Sequence, residues 1–162
     1  MSNPPKKKGT QFETSCANYL RAIAGIEARR EALHGTHDHG DLALVIHGRP
    51  YTAECKCVER VTPKELATFR LQTTVEANNA GSDGGILLQW RPGKGYRWDA
   101  SPDGERAKSF GENLAHMTIE TLIRLTGATG EMEIDAEVAK TWVTVSMRDL
   151  AIIAMEVPDG WA

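Results

Sequence analysis

Glu54 and Lys56 flank Cys55, and Asp41 lies a strand's length upstream. In an extended strand, residues two apart leave the same face, so Glu54 and Lys56 project together with their Cα atoms roughly 6–7 Å apart. Tyr51, Ala53, Cys55 and Cys57 cover the other face, which marks residues 51–58 as an interior strand. A charged pair buried there costs several kcal/mol per ion unless it is matched. A metal ion with a phosphate would supply the match. Asp41 follows Gly40 and precedes the apolar run 42–47, and Gly48-Arg49-Pro50 reads as the hairpin turn between the two strands. A hairpin of this length returns Glu54 to the level of Asp41. Two carboxylates meeting there suit a hard cation with oxygen ligands, such as Mg²⁺. The ion would lower the pKa of a bound water, and Lys56 would orient that water and stabilise the added charge.

Two further polar groups lie on elements that could reach this point. Glu13 borders the apolar stripe of an N-terminal helix expected over 9–24, where Phe12, Cys16, Tyr19, Leu20 and Ile23 recur at helical spacing. Gln72 lies inside a helix expected from 62 to about 79, which opens with Thr62-Pro63-Lys64-Glu65: an N-cap threonine, a first-turn proline and the reciprocal glutamate of a capping box. The plain alternatives are a solvated Glu54–Lys56 pair, a turn-bracing Asp41, an exposed helix acid at Glu13 and a surface Gln72.

Short apolar strands are expected over 86–90 and 142–145, with 96–98 a possible third. A helix fits 117–126, and Ser146-Met147-Arg148-Asp149 starts a last helix running to about 155. Residues 26–33 fit either a helix or a strand, and 99–113 and 127–137 read as loops. The strand–helix–strand step from 51 to 90 requires a crossover, so the fold class is α/β, a mixed β-sheet flanked by helices.

The order is helix glutamate, Gly-Asp at a strand start, Glu-Cys-Lys in the next strand, then a capped helix bearing glutamine. On Gly9-Thr10-Gln11-Phe12-Glu13, Gly40-Asp41, Glu54-Cys55-Lys56 and Gln72, the sequence resembles the PD-(D/E)XK nuclease superfamily over residues 9–90. Its layout looks most like the archaeal and phage Holliday junction resolvases. It departs from the family pattern in having Gly-Asp where Pro-Asp is usual, and in the length of chain beyond residue 98. The resemblance implies a restriction-endonuclease-like fold, with a core over 9–98 and an elaboration over 99–162. It also implies a Mg²⁺-dependent endonuclease, with Mn²⁺ able to substitute, acting on branched DNA as a homodimer and leaving 5′-phosphate ends. By the same analogy Asp41, Glu54 and the Cys55 carbonyl bind the metal, Lys56 is catalytic, and Glu13 and Gln72 assist. Another DNA nuclease of the superfamily (restriction-like, repair or single-strand) and a non-catalytic DNA-binding protein on the same fold are the competing readings.

The 162 residues suit one compact domain, and 41% apolar content is enough for a core. Net charge is −3, so charge alone does not point to a nucleic-acid partner. Lys6, Lys7 and Lys8, in a tail expected to be disordered over 1–8, and the pair Arg29 and Arg30 are the candidate DNA-contacting cations. No apolar run is long enough for a membrane span or a secretory signal, and the odd count of three cysteines argues against a disulfide framework. The cytoplasm is the expected compartment. His34, His37 and His39 with Cys55 and Cys57 offer zinc-type ligands, but at spacings that match no compact zinc module. Trp90 and Trp98, with Arg91, Lys94 and Arg97, read either as a grip on nucleic acid or as a core aromatic hairpin.

Overall fold

The computed structural model describes residues 5–32, 38–98, 105–128 and 133–155. Helix α1 (Pro5–Tyr19) continues as a π-helical turn over Leu20–Ala24 and leads into strand β1 (Glu27–Arg30). Strands β2 (Leu42–Ile46) and β3 (Arg49–Lys56), helix α2 (Pro63–Ala80) and strand β4 (Gly85–Gln89) follow. Then come α3 (Glu105–Gly111), β5 (Leu114–Thr118), α4 (Ile119–Leu125), α5 (Ala136–Ala139), β6 (Trp142–Ser146) and α6 (Met147–Ala154). The six strands lie in one sheet in chain order, and among the described strands only β3 and β4 pair in parallel, across the α2 crossover. The molecule is α/β, with a mixed sheet flanked by helices. Among the described residues no helix is long and apolar enough to cross a membrane.

The two faces of the sheet differ in chemistry. On one face Ala53 and Cys55 of β3, Ile86 and Leu88 of β4, and Ala115 and Met117 of β5 meet Phe12 and Cys16 of α1, Leu20 of the π-helical turn, Phe110 of α3, and Met147, Leu150, Ala151 and Ala154 of α6. Each large side chain fully buried there stabilises the fold by roughly 1.5–3 kcal/mol. The other face carries Thr52, Glu54 and Lys56 of β3 and is crossed by α2. Register makes the division strict: Leu42 pairs with Ala53, and Glu54 and Lys56 pair with Leu87 and Gln89.

Several boundaries differ from expectation. The N-terminal helix begins at Pro5, so Lys6, Lys7 and Lys8 are helical and not in a disordered tail. Lys8 Nζ makes a distant contact, 3.5 Å from the centre of the Trp90 ring and 5.0 Å from that of Tyr96. The hairpin turn falls at His47 and Gly48, both at positive φ, leaving Arg49 and Pro50 in β3. Strand β3 is buried on both faces from Tyr51 to Cys55, but β2 is not doubly covered, since Ala43 is half-buried and Val45 exposed. Residues 96–98 form no strand; Tyr96 packs edge-on against Trp90 and Trp98 against Tyr19. Helix α3 falls within the expected loop 99–113, and α5 begins at the end of the expected loop 127–137 and runs two residues past it. The expected helix 117–126 is the end of β5 followed by α4, with Thr118 at the junction as N-cap. Residues beyond 98 extend the sheet by β5 and β6 and add α6 to the same core.

Helix α2 starts as its sequence dictates. The Thr62 side chain accepts the Glu65 N–H, and Glu65 reaches back to the Thr62 N–H at 2.8 Å. At β4, Gly85 lets α2 come close, because a Cβ there would stand 2.9 Å from both the Thr73 carbonyl oxygen and its Cγ2. Replacing Thr62 with Ala removes one partner of the box and is expected to cost about 1 kcal/mol. For a chain of this size that lowers the Tm by about 2–4 °C in a calorimetric scan; an unchanged Tm would show that the cap does not hold the helix start.

Candidate active site

Asp41 is held by backbone on both sides. Its N–H donates to the Ala53 carbonyl at 3.0 Å, and its own carbonyl accepts the Glu31 N–H at 2.8 Å. The side chain then takes over where the β2–β3 ladder stops, with Oδ2 accepting the Cys55 N–H at 2.8 Å. The preceding Gly40 makes this approach possible. It has φ +80°, and a Cβ would stand 2.5 Å from Thr52 Cγ2 and 3.1 Å from the Ala53 oxygen. Proline, fixed near φ −65°, has no access to that conformation.

Glu54 lies opposite Asp41 and is buried. Lys56 Nζ donates to Glu54 Oε1 at 2.5 Å and stands 5.1 Å from the centre of the Phe69 ring on α2. Gln72 Nε2 donates to Glu54 Oε1 at 3.3 Å and to Glu76 Oε1 at 2.7 Å. Glu76, one helical turn after Gln72, is a fourth acid that sequence reasoning missed. It is buried, and its Oε2 has no hydrogen-bond partner among the described residues. The available signal was the i, i+4 spacing from Gln72 on the face of α2 that meets Glu54.

Three acids, Asp41, Glu54 and Glu76, therefore lie close together with the Lys56 ammonium on Glu54. Burial, and then the Glu54 charge, push the Asp41 carboxyl up to about 7. Glu54 is also pushed up to about 7, by burial first and then by a hydrogen bond shared with Glu76, against the pull of Lys56. Glu76 is raised too, chiefly by burial. Protons compensate excess negative charge here.

The donors fit a hard divalent cation in kind: they are carboxylate oxygens, one of them buried without a donor. Asp41 and Glu54 would be its ligands. The N–H and C=O of one residue in a strand leave on the same side, so the Cys55 carbonyl is directed to the Asp41 side as its N–H is. Among the described residues no three side chains of ligating type already form a metal cage. The arrangement, with Lys56 on Glu54, is that of the proton-compensated site.

The remaining expected residues divide. Glu13 is near enough to raise Asp41, but its Oε2 binds Arg30 at 2.7 Å. Arg29 pairs with Glu31 at 3.1 Å, so both arginines of the expected DNA-contacting pair are engaged with acids. Lys6 and Lys7 are exposed on the first turns of α1, while Lys8 is committed to Trp90. Of the candidate zinc ligands, His34 and His37 lie outside the described residues; among the described ones, His39 lines a cleft beside β1 and β2, and the Cys55 thiol faces Cys16 in the core. Trp90 and Trp98 are buried, as in the core aromatic reading.

Two predictions follow from this geometry. Replacing Gly40 with Ala strains the backbone and crowds Thr52, and is expected to cost about 1–3 kcal/mol in denaturant unfolding; a neutral effect would mean that Asp41 does not depend on this turn. The raised carboxyls make the metal-free fold lose stability as pH rises. The native state keeps protons that the unfolded chain has released from about pH 4, so the loss accumulates up to about 7, where Asp41 and Glu54 ionise. Asp41→Asn keeps an acceptor for Cys55 and removes one charge. Its Tm in chelator should rise relative to wild type between pH 4 and 7.5, and a pH-independent difference would contradict the buried-acid account.

Set against protein-family models, curated proteins and solved structures, the chain has no significant match.

Proposed function

We propose that the chain is a divalent-metal-dependent nuclease that hydrolyses DNA phosphodiesters on a restriction-endonuclease-like fold. The observation that carries the reading is the meeting of Asp41 and Glu54 across the β2–β3 hairpin, with Lys56 on the same face and Glu76 behind them. An isolated Glu-x-Lys is common. A cluster of acids in which Asp41 and Glu54 are pushed up to about 7, with a lysine beside them, is a site whose charge awaits a cation.

When bound, Mg²⁺ or Mn²⁺ would lower the pKa of a water and neutralise phosphate oxygens. The chain's own residues do the rest. Asp41 is fixed by Cys55, so its free oxygen has a defined position. Gln72 bridges Glu54 and Glu76 and sets the rotamer of Glu54. Lys56 is more exposed than its partner, with 21% of its side chain accessible against 6% for Glu54. Relieved of Glu54, its ammonium can orient the attacking water and stabilise charge on the phosphate. Glu13, tied to Arg30, acts only through the field at Asp41.

The resemblance to junction resolvases is what suggests branched DNA, and a four-way junction cut by a homodimer in the cytoplasm is the specific form of the proposal. The test is a cleavage assay with Mg²⁺ on a four-way junction beside linear duplex and single-stranded DNA. Paired symmetric nicks with 5′-phosphates are expected, and Lys56→Ala should lower the rate by about 10²-fold or more. Equal activity in Lys56→Ala would sink the mechanism, and preference for linear or single-stranded DNA would replace resolvase with another nuclease. Mg²⁺ or Mn²⁺ should also raise the Tm of wild type but not of Asp41→Asn, as a ligand of the native state alone must. No shift in the folded wild type would count against a metal site.

A further inference from the structure

The polar face does not end at Lys56. Lys56 pairs with Gln89 on β4, and on the same face His116 of β5 and Thr144 and Trp142 of β6 continue the row. His116 is buried and bonded through both ring nitrogens, Nε2 to Gln89 Oε1 at 2.8 Å and Nδ1 to Thr144 Oγ1 at 2.7 Å. An amide oxygen only accepts, so Nε2 carries the proton and Nδ1 accepts from the Thr144 hydroxyl. Burial, and then the charge of Arg70, hold the imidazole's pKa down at about 4, which keeps this neutral form at neutral pH. The relay uses the oxygen of Gln89 and leaves its NH₂ group to donate.

Arg70 comes to the same place from α2. It is half-buried, with its guanidinium 5.5 Å from the centre of the Trp142 ring. Its Nε is buried with no hydrogen-bond partner, and no acid among the described residues forms an ion pair with it. Arg29, Arg30, Arg49 and Arg124 each pair with a carboxylate. A desolvated Nε–H without an acceptor costs free energy, and a cation beside a neutral histidine and an oriented amide donor selects an anion. Trp142 of β6, which Arg70 meets, lies three interstrand steps, about 14 Å of sheet, from the strand that carries Lys56.

We propose that Arg70 and Gln89, the latter oriented by the Thr144–His116 relay, form a second phosphate site that holds the nucleic-acid backbone beside the phosphate at Lys56. The naming of nucleic acid rests on the nuclease reading; the phosphate site itself does not. Arg70 is a binding and positioning residue. Its removal should weaken binding across DNA sequences alike and reduce the salt dependence.

The experiment has two arms. Fluorescence anisotropy with a labelled four-way junction in chelator compares wild type with Arg70→Ala, and with Arg70→Gln, which keeps bulk against Trp142 without the charge. Affinity should fall about tenfold in both, and the slope of log affinity against log salt should shrink by about 1. In the second arm inorganic phosphate is titrated into labelled wild type, and the Arg70 Nε–H resonance should shift to saturation. Unchanged affinity and salt slope in both variants, or an Arg70 resonance that ignores phosphate, overturns the phosphate site, while metal-dependent cleavage by wild type would keep the nuclease. A saturating shift at Arg70 in a protein that neither binds nor cuts DNA keeps the phosphate site and removes the nuclease reading.

Discussion

A single hydrogen bond, from the Cys55 N–H to Asp41 Oδ2 at 2.8 Å, organises the polar half of this molecule. Strand β2 starts one residue after Asp41, so Cys55 would otherwise face the end of the ladder with an unanswered donor. The Asp41 side chain answers it in place of a backbone carbonyl. The same bond fixes a carboxylate against Glu54 at the centre of the sheet. The rest of the site handles the charge this creates: Lys56 partly neutralises Glu54, Gln72 bridges Glu54 and Glu76, and protons stay on the acids up to about neutral pH.

Helix α2 suits this environment because it is not an ordinary amphipathic helix. The residues it buries are Thr73, Glu76 and Ala77, and it exposes Leu71 and Val75. It brings polar groups to the sheet and leaves the apolar packing to α1, α3 and α6 on the other side. Gly85 provides the close approach that lets its short side chains serve.

The site was legible wherever a local rule governs it. Alternation on β3 separated Glu54 and Lys56 from Ala53 and Cys55, hairpin length brought Asp41 to Glu54, and Thr62 with Glu65 marked the start of α2. What stayed hidden depends on contacts distant in sequence. Pro5 to Lys8 read as tail because nothing local shows that Lys8 will lie on Trp90. Met117 and Thr118 read as the start of a helix because β5 is a strand only between β4 and β6. Glu76 was overlooked because a helical glutamate is usually solvated, and only the docking of α2 buries it. Arg70, His116 and Gln89 come from three elements that no spacing connects.

The strict division of β3 between its two faces also bears on how the chain reaches this fold. A hairpin shifted by one residue would exchange the faces, turning Glu54 and Lys56 toward Phe12 and Leu20 and Cys55 toward the acids. Unmatched charges in that apolar layer cost several kcal/mol each, so a misaligned β2–β3 pair has no stable partner in α1. Glu54 and Lys56 thereby penalise every alignment of the central hairpin but the one that keeps them off the apolar layer.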